Sequence, residues 1–290
     1  MGNLRILQGV KRWLEARHNS QPQSGRPVIG LALGGGFARG VAHIGVLKVL
    51  EENRIPVHCI AGTSVGSIIG GSYASGTSLK DMEEKAAAIR FHDFARWTVS
   101  RLGLASNARM EQFLHRCFRK VTFEELNIPL AVTATDISNG EQVVFRSGDL
   151  IDPVRASCAY PGLFVPVRIG ERLLIDGAFS GPVPVAPLVE MGATHIIAVH
   201  LVCNPFPSAM PTNIFQMVGQ CFALLQGRAG VQWRQTAKCV IEPAVAGNTW
   251  NDFEAAPKLI AAGAEATRAM LPKIESWFQP RVAPVLAYSR

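Results

Sequence analysis

The sequence predicts an α/β protein in three layers, with a mostly parallel central sheet and helices on both faces. From Val28 onward, apolar runs of strand length alternate with stretches whose apolar residues recur at helical spacing. The chain has 290 residues, 48% hydrophobic and 18% charged, so it can bury a large core and is not disordered. Such alternation gives right-handed crossovers and places sites at the carboxyl ends of the strands.

The first 27 residues are predicted to precede the main domain, which spans residues 28–290. Residues 1–27 carry a net charge of +4, and their apolar residues Leu4, Leu7, Val10 and Leu14 recur at helical spacing. This pattern is typical of a basic amphipathic helix that packs on its own domain or on a partner. A helix that lies on an anionic bilayer is the alternative. The polar stretch at 19–27 is then a linker.

The main domain begins with a strand at 28–33, a helix at 41–53, a strand at 57–62 and a small-residue helix at 64–74. A more polar stretch at about 78–120 is predicted to be helical. Further strands are predicted near 130–135, 142–146, 172–175 and 195–202, and further helices near 183–191, 212–230 and 253–275.

A glycine-rich loop, GGGFARG at 34–40, joins the first strand to the first helix. Counted from Gly34, a dinucleotide-binding fingerprint needs glycine at the sixth position, but Arg39 stands there and Gly40 follows one residue late. No Gly-Lys-Ser/Thr completes a P-loop. Backbone N–H groups of successive glycines near a helix N-terminus still bind anions, including the oxyanion of an acyl transfer. A tight turn without a ligand is the alternative.

A second loop, GTSVG at 62–66, matches Gly-x-Ser-x-Gly. The string is weak evidence alone, but it lies between a buried strand and a helix, as a nucleophile elbow requires. Ser64 is expected to adopt a strained turn, with its hydroxyl at the helix N-terminus, where the dipole favours negative charge. Glycine is expected at Gly62 and Gly66 because strand and helix pass too close for Cβ atoms. The alternative is a serine that merely caps the helix.

No histidine is an obvious proton acceptor for this serine. His195 and His200 flank an apolar strand and His43 lies early in the first helix, whereas an α/β-hydrolase places its histidine on a late loop. The better candidate is Asp176, which ends the apolar run of LLIDGAF and precedes Gly177, although Asp-Gly also forms turns. Its ordinary pKa is about 2.6 units below that of histidine, a handicap of about 3.5 kcal/mol that burial reduces.

Four motifs follow one another along the chain: LGGGFARGVAHIGVL (33–47), GTSVGS (62–67), RASCAYPGLFVPV (155–167) and IDGAFSGPVPV (175–185). Together they resemble the patatin-like phospholipases, specifically a short bacterial branch related to the catalytic domain of neuropathy target esterase. The resemblance covers roughly residues 28–202, and the C-terminal third matches in general pattern. It implies the three-layer patatin-like fold.

The resemblance implies a Ser–Asp dyad without histidine, formed here by Ser64 and Asp176. It also implies an oxyanion hole from the glycine loop, assigned here to the backbone N–H groups of Gly35 and Gly36. Arg39 matches the usual arginine of that loop and is interpreted as ordering the loop first and contacting phosphate second.

The expected function is therefore hydrolysis of acyl esters, as in a lipid esterase, phospholipase or lysophospholipase, through an acyl-enzyme. A non-catalytic binding or regulatory protein on the same fold is the alternative. Phe37 departs from the family, since many relatives have glycine or alanine there. Its ring is expected to narrow the acyl entrance or to add apolar contact. The loop at 203–213 is expected to border the acyl pocket.

Composition excludes several other classes. The six cysteines are scattered without a Cys-x-x-Cys pair, which fits reduced thiols better than disulfides or a zinc site. The sequence contains neither an apolar run of membrane-spanning length nor a signal-peptide stretch. We expect a cytoplasmic protein, at most peripheral at the inner membrane surface, with a lipid or other acyl-ester substrate. No cofactor, metal or nucleic acid is expected, and the oligomeric state is left open.

Overall fold

The computed structural model describes residues 26–98, 102–106, 108–201, 231–245 and 252–279, with a few single positions between 217 and 224. The basic helix predicted within residues 1–27 and the loop at 203–213 lie outside the described residues, as does most of the helix predicted near 212–230. Within the described ranges, no helix combines the length and the apolar character that crossing a bilayer requires.

The described chain alternates strands and helices from residue 29 onward. The strands are β1 (Ile29–Leu33), β2 (Cys59–Thr63), β3 (Arg96–Trp97), β4 (Gly103–Ser106), β5 (Leu130–Asp136), β6 (Gln142–Phe145), β7 (Gly162–Phe164), β8 (Val167–Ile169), β9 (Arg172–Asp176), β10 (His195–Val199) and β11 (Cys239–Ile241). The helices are α1 (Ala42–Glu52), α2 (Val65–Ala74), α3 (Leu79–Ala88), α4 (Ala108–Cys117), α5 (Ile151–Ser157), α6 (Ala186–Glu190), α7 (Val231–Thr236) and α8 (Ala256–Glu275).

The central sheet has the strand order β11-β10-β1-β2-β5-β9-β8, with β6 also paired to β5. Pairing is parallel from β11 to β5. It is antiparallel where β6 and β9 meet β5 and where β8 meets β9. This confirms the prediction of a mostly parallel sheet in a mixed α/β fold. Strands β3, β4 and β7 form a second, small sheet.

Alternate residues of the central strands face two different helix layers. Leu31, Ile60 and Ile197 belong to a large core cluster that also holds residues of α1 to α4 and α8. Ala32, Ala61 and their neighbours face the other side, in a smaller cluster with residues of α6 and α7. Since successive side chains of a strand point to opposite faces, both faces of the sheet are covered.

Helices α1 and α8 approach each other closely enough that glycine is needed at both points of contact. A Cβ atom at Gly45 would lie 1.9 Å from the carbonyl oxygen of Ile260, and one at Gly263 would lie 1.9 Å from that of Ala42. The C-terminal helix therefore rests directly on the helix that follows the glycine loop.

The helical prediction for the whole of 78–120 was wrong between α3 and α4. This segment contains β3, β4 and a 3₁₀ turn at Phe91–Asp93. Strand β4 pairs with β7, and its residue Ala105 is buried with Phe164 in a cluster of its own. This tertiary pairing overrides local helix propensity. Strands β7, β8 and β11 and helices α5 and α7 were not predicted, because such short elements show too little periodicity.

Candidate active site

Ser64 stands between β2 and α2 in a backbone conformation that non-glycine residues rarely adopt, with φ 54° and ψ −128°. The neighbouring glycines lie where the backbones converge. A Cβ atom at Gly62 would lie 2.5 Å from the Cα of Ser67, and one at Gly66 would lie 2.1 Å from the carbonyl oxygen of Leu33. The sequence thus folds into a sharp strand–turn–helix elbow with the serine at its apex.

The hydroxyl of Ser64 does not cap α2; it donates a hydrogen bond of 2.7 Å to Oδ2 of Asp176. The backbone of Ser64 is held by two other serines. Its N–H donates to Oγ of Ser157 at 2.7 Å, and its carbonyl oxygen accepts from Oγ of Ser67 at 2.6 Å. The strained elbow is therefore fixed on both sides of the side chain.

Asp176 reaches the elbow from an antiparallel strand. Thr63, the last residue of β2, pairs with Thr133 of β5, and β5 continues three residues further. Strand β9 runs back along this extension, so that its last residue, Asp176, pairs with Ala134. The ends of β2 and β9 thus meet at almost the same level of the sheet, which brings serine and carboxylate together.

Burial makes the carboxyl group of Asp176 unusually basic. The residue is 2% exposed, and desolvation raises its pKa from 3.8 to about 7, although hydrogen bonds from Ala178 N–H and Ser64 act in the opposite direction. Ala178 N–H donates to Oδ1 at 2.9 Å, so the Asp-Gly turn and the contact with the serine use different oxygens. An ordinary histidine has a pKa of about 6.5, so this aspartate matches it as a proton acceptor near neutral pH.

The glycine loop lies beside the elbow, with its first two N–H groups already bonded. Gly34 N–H donates to Val199 O at 3.1 Å, and Gly35 N–H donates to Pro182 O at 3.3 Å, near the upper limit for such a bond. Gly36 N–H has no partner among the described residues. The sequence indicates Gly35 and Gly36 as oxyanion donors. Among the described residues nothing competes for Gly36 N–H, whereas Gly35 N–H must first break its long hydrogen bond to Pro182 O.

His43 holds the start of the glycine loop through a buried hydrogen bond. Its ring is fully buried, and Nε2 donates to the carbonyl oxygen of Gly34 at 2.8 Å. Burial lowers the pKa of His43 to about 4, so it is neutral near pH 7. Neither other candidate histidine lies at the dyad: His195 has its ring atoms near Thr194 and Lys238, and His200 contacts Glu242 and Arg234.

Phe37 and Arg39 follow in a 3₁₀ turn, Phe37–Val41. Phe37 has φ 51°, and its ring meets that of Tyr160 edge-on at a centroid distance of 5.0 Å. Tyr160 in turn contacts Phe179, which gives an aromatic row beside the dyad. Arg39 is half-buried, and its Nε has no hydrogen-bond partner among the described residues.

Two more glycines of the sequence motifs permit close approach around the site. A Cβ atom at Gly40 would lie 2.2 Å from Cγ1 of Val65, the first residue of α2. A Cβ atom at Gly177 would lie 2.3 Å from the carbonyl oxygen of Thr133. Gly40 therefore lets the glycine loop pack directly against the elbow, and Gly177 lets the Asp-Gly turn pack directly against β5.

An apolar cavity of about 120 Å³ has Ser64 in its wall. Phe37, Val65 and Phe164 also line it, and most of its remaining lining is aliphatic or aromatic. A hydroxyl bonded to a buried carboxylate thus adjoins a space that suits a hydrocarbon chain.

Sequence reasoning missed Ser157 and Cys158, although both lie in the motif RASCAYPGLFVPV. Ser157 fixes the N–H of Ser64. Cys158 lines the cavity, and desolvation and the charge of Asp176 raise its pKa, so it remains a neutral thiol. Apart from membership of a motif, no signal marks either residue, because a serine or cysteine near a helix C-terminus is ordinary.

Comparisons with known proteins find related sequences and a similar fold. A family model described as patatin-like phospholipase matches residues 31–189. An uncharacterized NTE family protein of Mycobacterium tuberculosis is 37% identical over 181 residues, which cover 61% of this chain and 50% of that protein. The lysophospholipase NTE1 of Cryptococcus neoformans is 34% identical over 177 residues, which cover 59% of this chain and 11% of that protein.

The chain thus spans half or less of the length of these relatives. Among solved structures, VipD from Legionella pneumophila superposes with a TM-score of 0.50 at 12% identity, over 86% of this chain and 67% of VipD. That likeness concerns the fold alone.

Proposed function

Because the chain belongs to the patatin-like phospholipase family, we propose that it is a serine hydrolase that cleaves acyl esters of lipids through an acyl-enzyme on Ser64. The observation that supports this most directly is the 2.7 Å hydrogen bond from Ser64 Oγ to the buried Asp176 beside an apolar cavity. The name of the fungal relative, a lysophospholipase, favours a lipid substrate.

The proposed reaction has two halves that use the same two side chains. Asp176 takes the hydroxyl proton as Ser64 Oγ attacks the ester carbonyl carbon, giving a tetrahedral oxyanion. The oxyanion collapses, the ester C–O bond breaks, and Asp176 returns the proton to the leaving alcohol. Water then attacks the acyl-serine carbonyl carbon while Asp176 takes a proton from it, and the second oxyanion collapses as Asp176 returns that proton to Ser64 Oγ, which releases the fatty acid and the free serine.

The oxyanion is proposed to bind at the glycine loop. Gly36 N–H has no acceptor within the described part of the chain, and the second donor is Gly35 N–H, whose bond to Pro182 O is long enough to exchange for a charged acceptor. The N-terminus of α2 at Ser64 adds its positive dipole end. His43, bonded to Gly34 O, keeps the loop in place during the change.

The proposed role of Asp176 as the base predicts how the rate of ester hydrolysis depends on pH. We expect kcat/KM for ester hydrolysis to rise with pH and to level off above a midpoint near 7, because Asp176, whose pKa is raised to about 7, must be deprotonated to accept the proton. His43 stays neutral in this window and contributes no step. Released fatty acid, quantified by chromatography from about pH 5 to pH 9, measures the profile. A rate that is constant from about pH 5 to pH 8 would contradict a base of this pKa.

We also propose that the protein meets its substrate at a membrane surface, with the basic segment at 1–27 as one contact. Each lysine or arginine near an anionic bilayer contributes about 1 kcal/mol, and the segment has a net charge of +4. We expect deletion of residues 1–27 to weaken binding to phosphatidylserine-containing vesicles more than it weakens hydrolysis of a soluble ester. Phosphatidylcholine vesicles are the control. Equal sedimentation of truncated and full-length protein with the anionic vesicles would contradict this role.

A further inference from the structure

The apolar cavity beside Ser64 extends along helix α2 to a group of three buried side chains. We infer that it holds one extended acyl chain of medium length, about that of a decanoyl group, and that Thr77, Met82 and Cys117 form the floor that limits the chain. This inference rests on the proposed function, because it assigns the acyl part of the substrate of the same serine.

Helices α2, α3 and α4 form much of the cavity wall, each with one stripe of residues three or four positions apart, and α1 adds Ile44. Residues so spaced lie on one face of a helix. The stripes are Val65, Ile68, Ile69 and Ser72 of α2, Met82 and Ala86 of α3 with Ile89 just after it, and Met110, Phe113 and Cys117 of α4. The cavity therefore borders about two turns of each of these three helices.

The ends of the cavity are set by how the helices are joined. Arg109, at the start of α4, donates to the carbonyl oxygen of His92 at 3.0 Å, just after the end of α3. At the opposite end, Thr77 Oγ1 donates to the carbonyl oxygen of Cys117 at 2.8 Å, which ties the loop after α2 to the end of α4. Helix α2 starts directly after Ser64 and runs toward Thr77, so the first of these ends is nearer the dyad than the second.

Buried side chains line the far end, beside the exposed Lys85, which also borders the cavity. Met82 is 4% exposed, Cys117 is 6% exposed and Thr77 is 3% exposed. The stretch of α2 that borders the cavity, from Val65 to Ser72, rises about 10 Å. An extended decanoyl chain attached to Ser64 has about this reach, whereas a palmitoyl chain would have to displace the floor.

The test is the dependence of kcat/KM on chain length, measured with saturated p-nitrophenyl esters from acetate to palmitate below their critical micelle concentrations. The wild type should prefer the decanoate. Ser72→Leu places a branched side chain in the cavity and should lower the decanoate-to-acetate ratio at least about tenfold. Met82→Ala removes part of the floor and should move the optimum to laurate or myristate. Tyr73→Phe changes the next residue of α2, which lies outside the cavity, and should keep the wild-type profile.

A shift of the preferred acyl chain to a greater length in Met82→Ala cannot arise from poor folding. The test therefore remains valid even if Ser72→Leu destabilises the protein. Profiles of both variants that match the wild type would overturn the assignment of the floor, as would a wild-type optimum at acetate or palmitate. Hydrolysis of no ester by the wild type would instead contradict the proposed function itself.

Discussion

Replacement of Ser64 by alanine is expected to lower kcat for a short-chain ester at least about 10⁴-fold, because the acyl-enzyme can no longer form. The same change should abolish covalent labelling by a fluorophosphonate probe, which reacts with activated serines. The matched control is Ser75→Ala. Ser75 is also buried, but its hydroxyl bonds to Ser72 O outside the dyad, so labelling should be kept.

The labelling experiment also separates the hydrolase from its rival. Undiminished labelling of the Ser64→Ala variant would show that another residue reacts. A wild-type protein that neither reacts with the probe nor hydrolyses any ester would favour the alternative, a binding or regulatory protein on the same fold.

Replacement of Asp176 by asparagine is expected to lower kcat about 10³-fold and at the same time to stabilise the folded protein at alkaline pH. The folded-state pKa of Asp176 is raised to about 7, so between about pH 4 and pH 7 the folded protein holds a proton that the unfolded chain has lost. The stability of the wild type therefore falls as pH rises through this window. An amide has no charge to bury, so at about pH 8 the variant should gain up to about 4 kcal/mol.

Thermal unfolding at about pH 4 and pH 8 measures the second effect, since the difference in Tm should appear at the higher pH alone. Asp136→Asn is the matched control. Asp136 is nearly as buried, but hydrogen bonds from Ser138 lower its pKa, so its amide variant should gain nothing at high pH. An Asp176→Asn variant that turns over like the wild type would contradict the dyad. Loss of turnover in well-folded His195→Ala or His200→Ala would point to a histidine base instead.

The elbow could be predicted from sequence because its chemistry is local. Its residues lie within five consecutive positions, GTSVG, and Gly62 is required by a contact with Ser67 of the same turn, although the contact of Gly66 is with Leu33 of β1. The approach of Asp176 could not be predicted in the same way. Its apolar run indicates a strand, but the direction of β9 depends on the extra length of β5, which apolar periodicity does not reveal.

The glycine loop, too, could be predicted from sequence only in part. Successive glycines indicate exposed N–H groups, but the partner of Gly35 is Pro182, almost 150 positions away, and no local pattern signals that bond. The support from His43 was likewise invisible, since a buried histidine on an apolar helix face is usually a packing residue. The short strands β3 and β4 escaped detection because β3 forms by pairing with β4 and β4 by pairing with β7, and neither pairing leaves a pattern in so few residues.

The region matched by the family model ends at residue 189, before strands β10 and β11 and helix α8. Strand β10 pairs with one edge of β1, and β11 pairs with β10. Helix α8 packs against α1 at the two glycine contacts. A chain shortened to residues 31–189 would thus lack β10, β11 and α8. It would expose the unpaired edge of β1 and one face of α1 to water, and would tend to aggregate. Any minimal working unit cut from this chain has to retain the last long helix.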